Sequence, residues 1–236
     1  MAMLGYLETL DRFGLQELKQ GDIQVKDGDI AVTPDGDWQF GNTRINALFR
    51  LLERWRVNQP TLDELYASML QTSQRLEEVL KARAQGCGAS LVNSPARFHE
   101  ETEAIGDYES GSSVFAGAIL VVLNNLLQRC RKDLDASEGQ WKSAGPKLYG
   151  HSIGVVFAAA AANFRHHDEW ARARTLGNVQ RGSMEPLCAI LGLDLWTQGR
   201  PTVRTNVCRE TLMRISDGSV DRLHQLTFDY AKALAG

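Results

Sequence analysis

The chain has 236 residues, 43% hydrophobic and 23% charged, and its 26 basic and 29 acidic residues leave a formal net charge of −3. These are ordinary globular values, enough to bury roughly 70% of the unfolded surface. They exclude a globally disordered chain, a disulfide-dependent scaffold and a nucleic-acid protein recognisable by bulk basic charge, although a nuclease engaging its substrate locally stays allowed.

In chain order, residues 3–20 carry Leu4, Leu7, Leu10, Phe13 and Leu18 at roughly helical spacing around Gly14. The period then shortens to alternation over residues 22–25, 29–33 and 37–40, separated by Asp27-Gly28 and Pro34-Asp35-Gly36. Asp-Gly supplies the positive φ of tight hairpin turns, so a three-stranded antiparallel β-meander is expected. A helix entry at Gly41-Asn42-Thr43 precedes Ile45, Leu48, Phe49, Leu52 and Trp55, an amphipathic stripe. Asn58-Gln59-Pro60 should end that helix, and Thr61 with Glu64 reads as the capping box of a second one, running to about residue 84. Residues 85–112 look irregular, with a short helix over 100–104. An apolar helix follows from Ser113 to about Leu134, then a loop over 138–146. Further helices are expected over 147–172, 184–191, 206–215 and 220–234.

The four cysteines, Cys87, Cys130, Cys188 and Cys208, form no CxxC pair, and three lie in apolar helical patterns. That usage fits a reducing compartment, and the expected location is cytoplasmic. The first fourteen residues hold no basic segment followed by an apolar one, so no secretory signal is expected. The most apolar run, residues 114–123, is about half the ~20 residues of a membrane span, and it reads as a buried core helix.

Chemistry concentrates in one stretch. After Gly154 and a run of small residues, the sequence turns polar at Asn163 and continues Phe164-Arg165-His166-His167-Asp168-Glu169-Trp170. At 100° per residue, Asn163, His166, His167 and Trp170 share one side of a helix, continuing the direction of Val156 and Ala159. Arg165, Asp168, Glu169 and Arg172 share another. An inward Asn-His-His-Trp face needs a partner for each polar atom, as a structural network or as a site. Adjacent histidines without HExxH spacing or a nearby cysteine argue against a metal, and no cofactor is expected. Acid–base work by a histidine beside Arg165, and recognition of an anion or a protein, are the functional options. The plainer option is a helix C-terminus where His and Arg stabilise carbonyls and Asp168 or Glu169 pairs with Arg172.

Weaker candidates surround it. His151 precedes Arg165 by about four helical turns and could share its face. Asp107 and Glu109 could be acids in a cleft, though a solvated loop explains them as well, and His99-Glu100-Glu101 reads as a solvated helix start. Gly145-Pro146-Lys147 lacks P-loop spacing, and Ser152 and Ser183 lack a nucleophile elbow. The five tryptophans read as core anchors.

The run 162–170 resembles an "ANYFKHxDEW"-type helix of uncharacterised bacterial proteins from mobile elements, including integron gene cassettes, and residues 46–56 resemble the same proteins. The two stretches cover about twenty residues and imply an accessory protein without an established reaction. The bundle is also similar to HEPN domains, helical RNases of toxin and antiphage systems whose signature is Arg, a polar residue and then a His. Arg165-His166 matches the first half. The window that should hold the His contains Trp170, Ala171 and Arg172, and Arg222 precedes His224 by only two residues.

The expectation is a mainly α, multi-helix bundle of one domain, with residues 1–42 as its N-terminal helix and meander and 43–236 as the bundle. It acts by binding an unidentified protein, or itself as a homodimer through the 114–127 helix. Under the alternative, a HEPN-like ribonuclease uses Arg165 with His166 or His167 on RNA. Asn163, Asp168, Glu169, Trp170 and His151 are the expected binding residues.

Overall fold

A left-handed Asp27 (φ 55°) followed by Gly28 (φ 86°) turns the chain between β1 (Val25–Lys26) and β2 (Asp29–Ile30), as the Asp-Gly signature requires. The computed structural model describes residues 8, 10, 11, 14, 16, 24–33, 36, 38, 39, 42–85 and 94–236. Most of the expected helix over 3–20 lies outside them. The expected three-stranded meander is not formed among the described residues. Beyond the β1–β2 pair there is an isolated bridge from Val32 to Trp38, with Gln39 N–H donating to the Ala31 carbonyl. Gln24 N–H also donates to the Gln39 carbonyl (2.9 Å), so the third run touches the hairpin through single bonds and not a continuous ladder.

Seven helices are present among the described residues, and the chain is mainly helical. Helix α1 (Thr43–Ala84) starts where Asn42 Oδ1 accepts the Ile45 N–H at 2.9 Å, and Leu48, Leu52 and Trp55 are buried as the stripe predicts. Pro60 does not end it. Proline removes one N–H donor at a cost of about 3 kcal/mol, and Leu51, Leu52 and Trp55 before it and Leu62, Tyr66 and Met69 after it are all buried. Packing on both sides outweighs the lost bond, so Thr61 and Glu64 are helix interior and cap nothing.

Helix α2 (Pro95–Asp133) replaces the irregular region expected up to residue 112. Pro95 takes the first position, where its missing N–H costs nothing. The glycine- and serine-rich stretch stays helical because its small side chains bend back or pack closely. Ser112 Oγ donates to the Glu109 carbonyl, and a Cβ on Gly111 would lie 3.6 Å from Thr72 Cγ2. Much of the apolar stretch expected to mediate dimerisation is buried, including Ala116, Ile119, Leu120, Leu123, Leu126 and Leu127, with Val114 exposed. By length and composition α2 could cross a membrane, more than the half-span read from residues 114–123, but 56% of its most apolar window is buried inside the protein.

Residues 138–146, expected as a loop, begin with α3 (Glu138–Ser143) behind a Ser137/Gln140 capping box. Residues 147–152, expected as helix, form the hairpin β3 (Lys147–Leu148) and β4 (His151–Ser152) around left-handed Tyr149 and Gly150. Helix α4 (Ile153–Arg172) follows, then α5 (Asn178–Leu191), which starts six residues before the expected Met184. A last hairpin, β5 (Trp196–Thr197) and β6 (Arg200–Pro201), precedes α6 (Cys208–Ser216) and α7 (Val220–Leu234).

The chain forms two compact units, residues 1–61, 122–158 and 215–236, and residues 62–121 and 159–214. In the first, Asp133 sits 3.2 Å from Arg50 and 2.6 Å from Arg54, and Arg50 also donates to Thr33 Oγ1, tying the β-bridge segment down. The Trp141 carbonyl accepts from both Ser152 Oγ (2.9 Å) and the Tyr230 hydroxyl (2.7 Å). Gly154 lies against this pair, where an added Cβ would meet Tyr230 Oη at 2.6 Å. In the second unit, Gly117 lets α2 approach Phe164 so closely that a Cβ would lie 2.0 Å from its ring.

Candidate functional site

The polar end of α4 faces two environments. Asn163 is fully buried, and its side chain holds the segment entering α6: Nδ2 donates to the Thr205 carbonyl (3.0 Å) and Oδ1 accepts the Val207 N–H (2.9 Å). Asn206 caps α6 through Oδ1 and donates to the Ser113 carbonyl. The Cys208 thiol donates to the Ala160 carbonyl at 3.5 Å. Burial, then the Glu210 charge, raises that thiol to about 12, so it is no nucleophile at neutral pH. Burial does the same to Cys130, also raised to about 12, and it raises Cys188. Cys87 lies outside the described residues.

The four residues expected on one inward face divide. Asn163 and Trp170 are buried and His167 is half-buried. His166 is exposed at 48% and pairs with Glu169 on the helix's own surface (3.3 Å). Helical spacing groups His166 with the others, but its neighbours on α4 leave it in solvent. Arg165 and Glu169 are exposed as well. His151 is in β4, ahead of α4, so no helix face joins it to Arg165.

Of the expected residues, only His167 and Asp168 line a cavity of about 590 Å³ in this unit. Its walls are Gly106, Glu109 and Ser110 of α2, Phe164 of α4, and the segment from Arg204 to Glu210. His167 Nδ1 lies 3.2 Å from the Asn163 carbonyl. A carbonyl only accepts, so Nδ1 donates there, and Nε2 lies 3.6 Å from Asp168 Oδ1. Beside it lies a second cavity of about 700 Å³, floored by Leu76, Leu80, Leu191, Leu193 and Met213. Glu109, Val207, Arg209 and Glu210 line both cavities.

The charges of the shared wall are partly satisfied. Arg209 donates to Glu210 Oε1 through both Nε (3.0 Å) and Nη2 (2.6 Å). The Glu109 carboxylate and the Arg204 guanidinium make no ion pair or side-chain hydrogen bond among the described residues. The sequence names Glu109 only as a loop acid. Arg204, Arg209 and Glu210 carry no local signal, since they join the site from more than thirty residues beyond α4's polar run. Among the described residues no three His, Cys, Asp or Glu side chains are placed to share a metal ion.

Comparison with protein-family models, with curated proteins and with solved structures finds no match.

Proposed function

We propose that this protein acts by binding, through the adjoining polar and apolar cavities of residues 62–121 and 159–214. The observation that carries the reading is the division of the polar run. Asn163 is occupied in holding the 205–207 backbone, while Arg165 and His166 are exposed and do not line the cavity that His167 and Asp168 line. A hydrolase of the HEPN type needs its Arg and His convergent on one space, and Arg165 does not line the cavity that His167 does. Two adjoining concave spaces of this size, one lined by Leu76, Leu80, Leu191, Leu193 and Met213, suit ligand recognition instead. The resemblance of residues 162–170 suggests an accessory, mobile-element setting, and the partner is a peptide or protein segment.

The HEPN-like ribonuclease is the second reading, favoured by one observation: His167 lines the cavity beside Asp168, with Nε2 3.6 Å from Asp168 Oδ1. An RNA-cleavage assay separates the two. The binding reading expects no cleavage by the purified chain. Cleavage that disappears in His167→Ala, while the variant keeps its thermal midpoint, overturns it.

A further inference from the structure

We infer that the β1–β2 hairpin and its bridge form a docking face for a partner segment whose apolar side chains are flanked by lysine or arginine. The face belongs to residues 1–61 and shares no residue with either cavity. Residues 30–33 alternate. Ala31 and Thr33 are buried, with Thr33 tied to Arg50, while Ile30 and Val32 are exposed. Val25 stands opposite Ile30 in the register, and Trp38 opposite Val32, and residues directly opposite share a face. Exposures of 70% at Val25, 59% at Val32, 56% at Trp38 and 40% at Ile30 leave four large apolar side chains open together. An open apolar patch that holds a tryptophan marks an interaction surface.

Charge identifies the occupant. Residues 22–37 contain five aspartates and one lysine, a formal charge of −4, whereas the whole chain carries −3. The acid excess of the chain is therefore concentrated in the segment that exposes these side chains. Asp27 and Asp29, next to the Val25–Ile30 pair in sequence, are exposed, and Lys26, opposite Asp29, is the one local counter-charge. Basic groups flanking an apolar core complement such a surface. A second copy brings the same negative charge against it, and four side chains fall far short of the roughly 20–30 residues a side of a stable interface. An anionic membrane surface is repelled in the same way.

Fluorescence anisotropy of a blocked, labelled peptide of alternating lysine and leucine, which as a strand presents one apolar face, tests this with the full chain. Saturable binding that weakens as salt rises is expected. Glutamate-leucine and lysine-serine counterparts should each bind at least about tenfold more weakly. Trp38→Ser should weaken binding about tenfold and Val32→Thr about threefold. Asp27→Asn with Asp29→Asn should weaken it at least about threefold. Asparagine tolerates the left-handed φ at 27 and keeps the acceptor for the Ile30 N–H at 29. Glu100→Gln with Glu103→Gln removes the same charge from exposed positions of α2 and should change nothing. The substituted side chains are all exposed, so thermal midpoints should hold. Where Trp38→Ser lowers its midpoint, Val32→Thr and the aspartate pair decide. No saturable binding, an equal loss in the α2 pair, equal binding of either counterpart, or binding indifferent to the hairpin variants overturns the inference. So does self-association in sedimentation, or binding to phosphatidylglycerol vesicles, that Trp38→Ser abolishes. RNA cleavage bears on the cavities alone.

Discussion

Asn163 and Val207, forty-four positions apart, are joined by a 2.9 Å bond from the Val207 N–H to the Asn163 amide oxygen. With the partner bond to the Thr205 carbonyl, one buried side chain acts as a strand's edge would, offering a donor and an acceptor to passing backbone. Asn163→Ala leaves that N–H without its acceptor, and a loss of about 1–3 kcal/mol is expected in urea unfolding. Asn163→Asp keeps the acceptor for Val207 but sets a carboxylate oxygen against the Thr205 carbonyl. It should therefore not restore wild-type stability. An aspartate variant as stable as wild type would show that the Thr205 bond contributes nothing.

Gly117 and Phe164 give a second test. Alanine at 117 would place its Cβ 2.0 Å from the ring, so overpacking of about 1–3 kcal/mol is expected. Adding Phe164→Ala should make the double variant more stable than the sum of the two single changes predicts. Strict additivity in thermal melts would contradict the contact.

Asp133 is 4% exposed between Arg50 and Arg54. Asp133→Asn takes the carboxylate charge away from two largely buried guanidinium groups, and a loss of about 3–5 kcal/mol is expected. Replacing all three with apolar residues (Arg50→Met, Arg54→Met, Asp133→Leu) should cost far less. If the triple variant melts below Asp133→Asn, the ion pairs contribute more than their desolvation removes.

The buried thiols set an alkaline limit. Cys130 and Cys208 are raised from 9.0 to about 12, by burial first and then by Asp133 and Glu210 respectively, and burial also pushes Tyr230 upward. The folded chain therefore keeps protons that the unfolded chain releases. Their stabilisation is complete below pH 9 and declines as pH rises toward 12, by up to about 1.4 kcal/mol per pH unit per thiol. Urea midpoints at pH 8, 9 and 10 should fall over the last step, and less steeply in Cys130→Ala with Cys208→Ala. A midpoint that is flat to pH 10 would refute the burial.

What the sequence discloses depends on whether a signal is local. Helix α7 has the bounds its periodicity predicts, residues 220–234, because Ser219 caps it and an amphipathic stripe fills it. Asp27-Gly28 announces its turn for the same reason. Pro60 and the Gly111 region mislead because local propensity argues for a break where tertiary burial sustains the helix. The hairpins at Tyr149-Gly150 and Gln198-Gly199 are missed because two-residue strands leave no alternation to read. At the site, the polar run of α4 is visible in sequence. Which of its members turn toward the cavity is decided by α2 and residues 204–210, which periodicity along one helix cannot register.

The doubly accepting carbonyl of Trp141 also bears on how this chain comes into being. One donor, Ser152, follows it within eleven residues, but the other, Tyr230, is eighty-nine residues downstream, beyond all of residues 159–214. During synthesis that carbonyl stays half satisfied, and the notch at Gly154 stays open, until residue 230 has left the ribosome. Residues 62–121 and 159–214, which hold both cavities, are all made before then. A nascent chain stalled between residues 214 and 230 therefore has every residue that lines the two cavities while still missing a strut of residues 122–158.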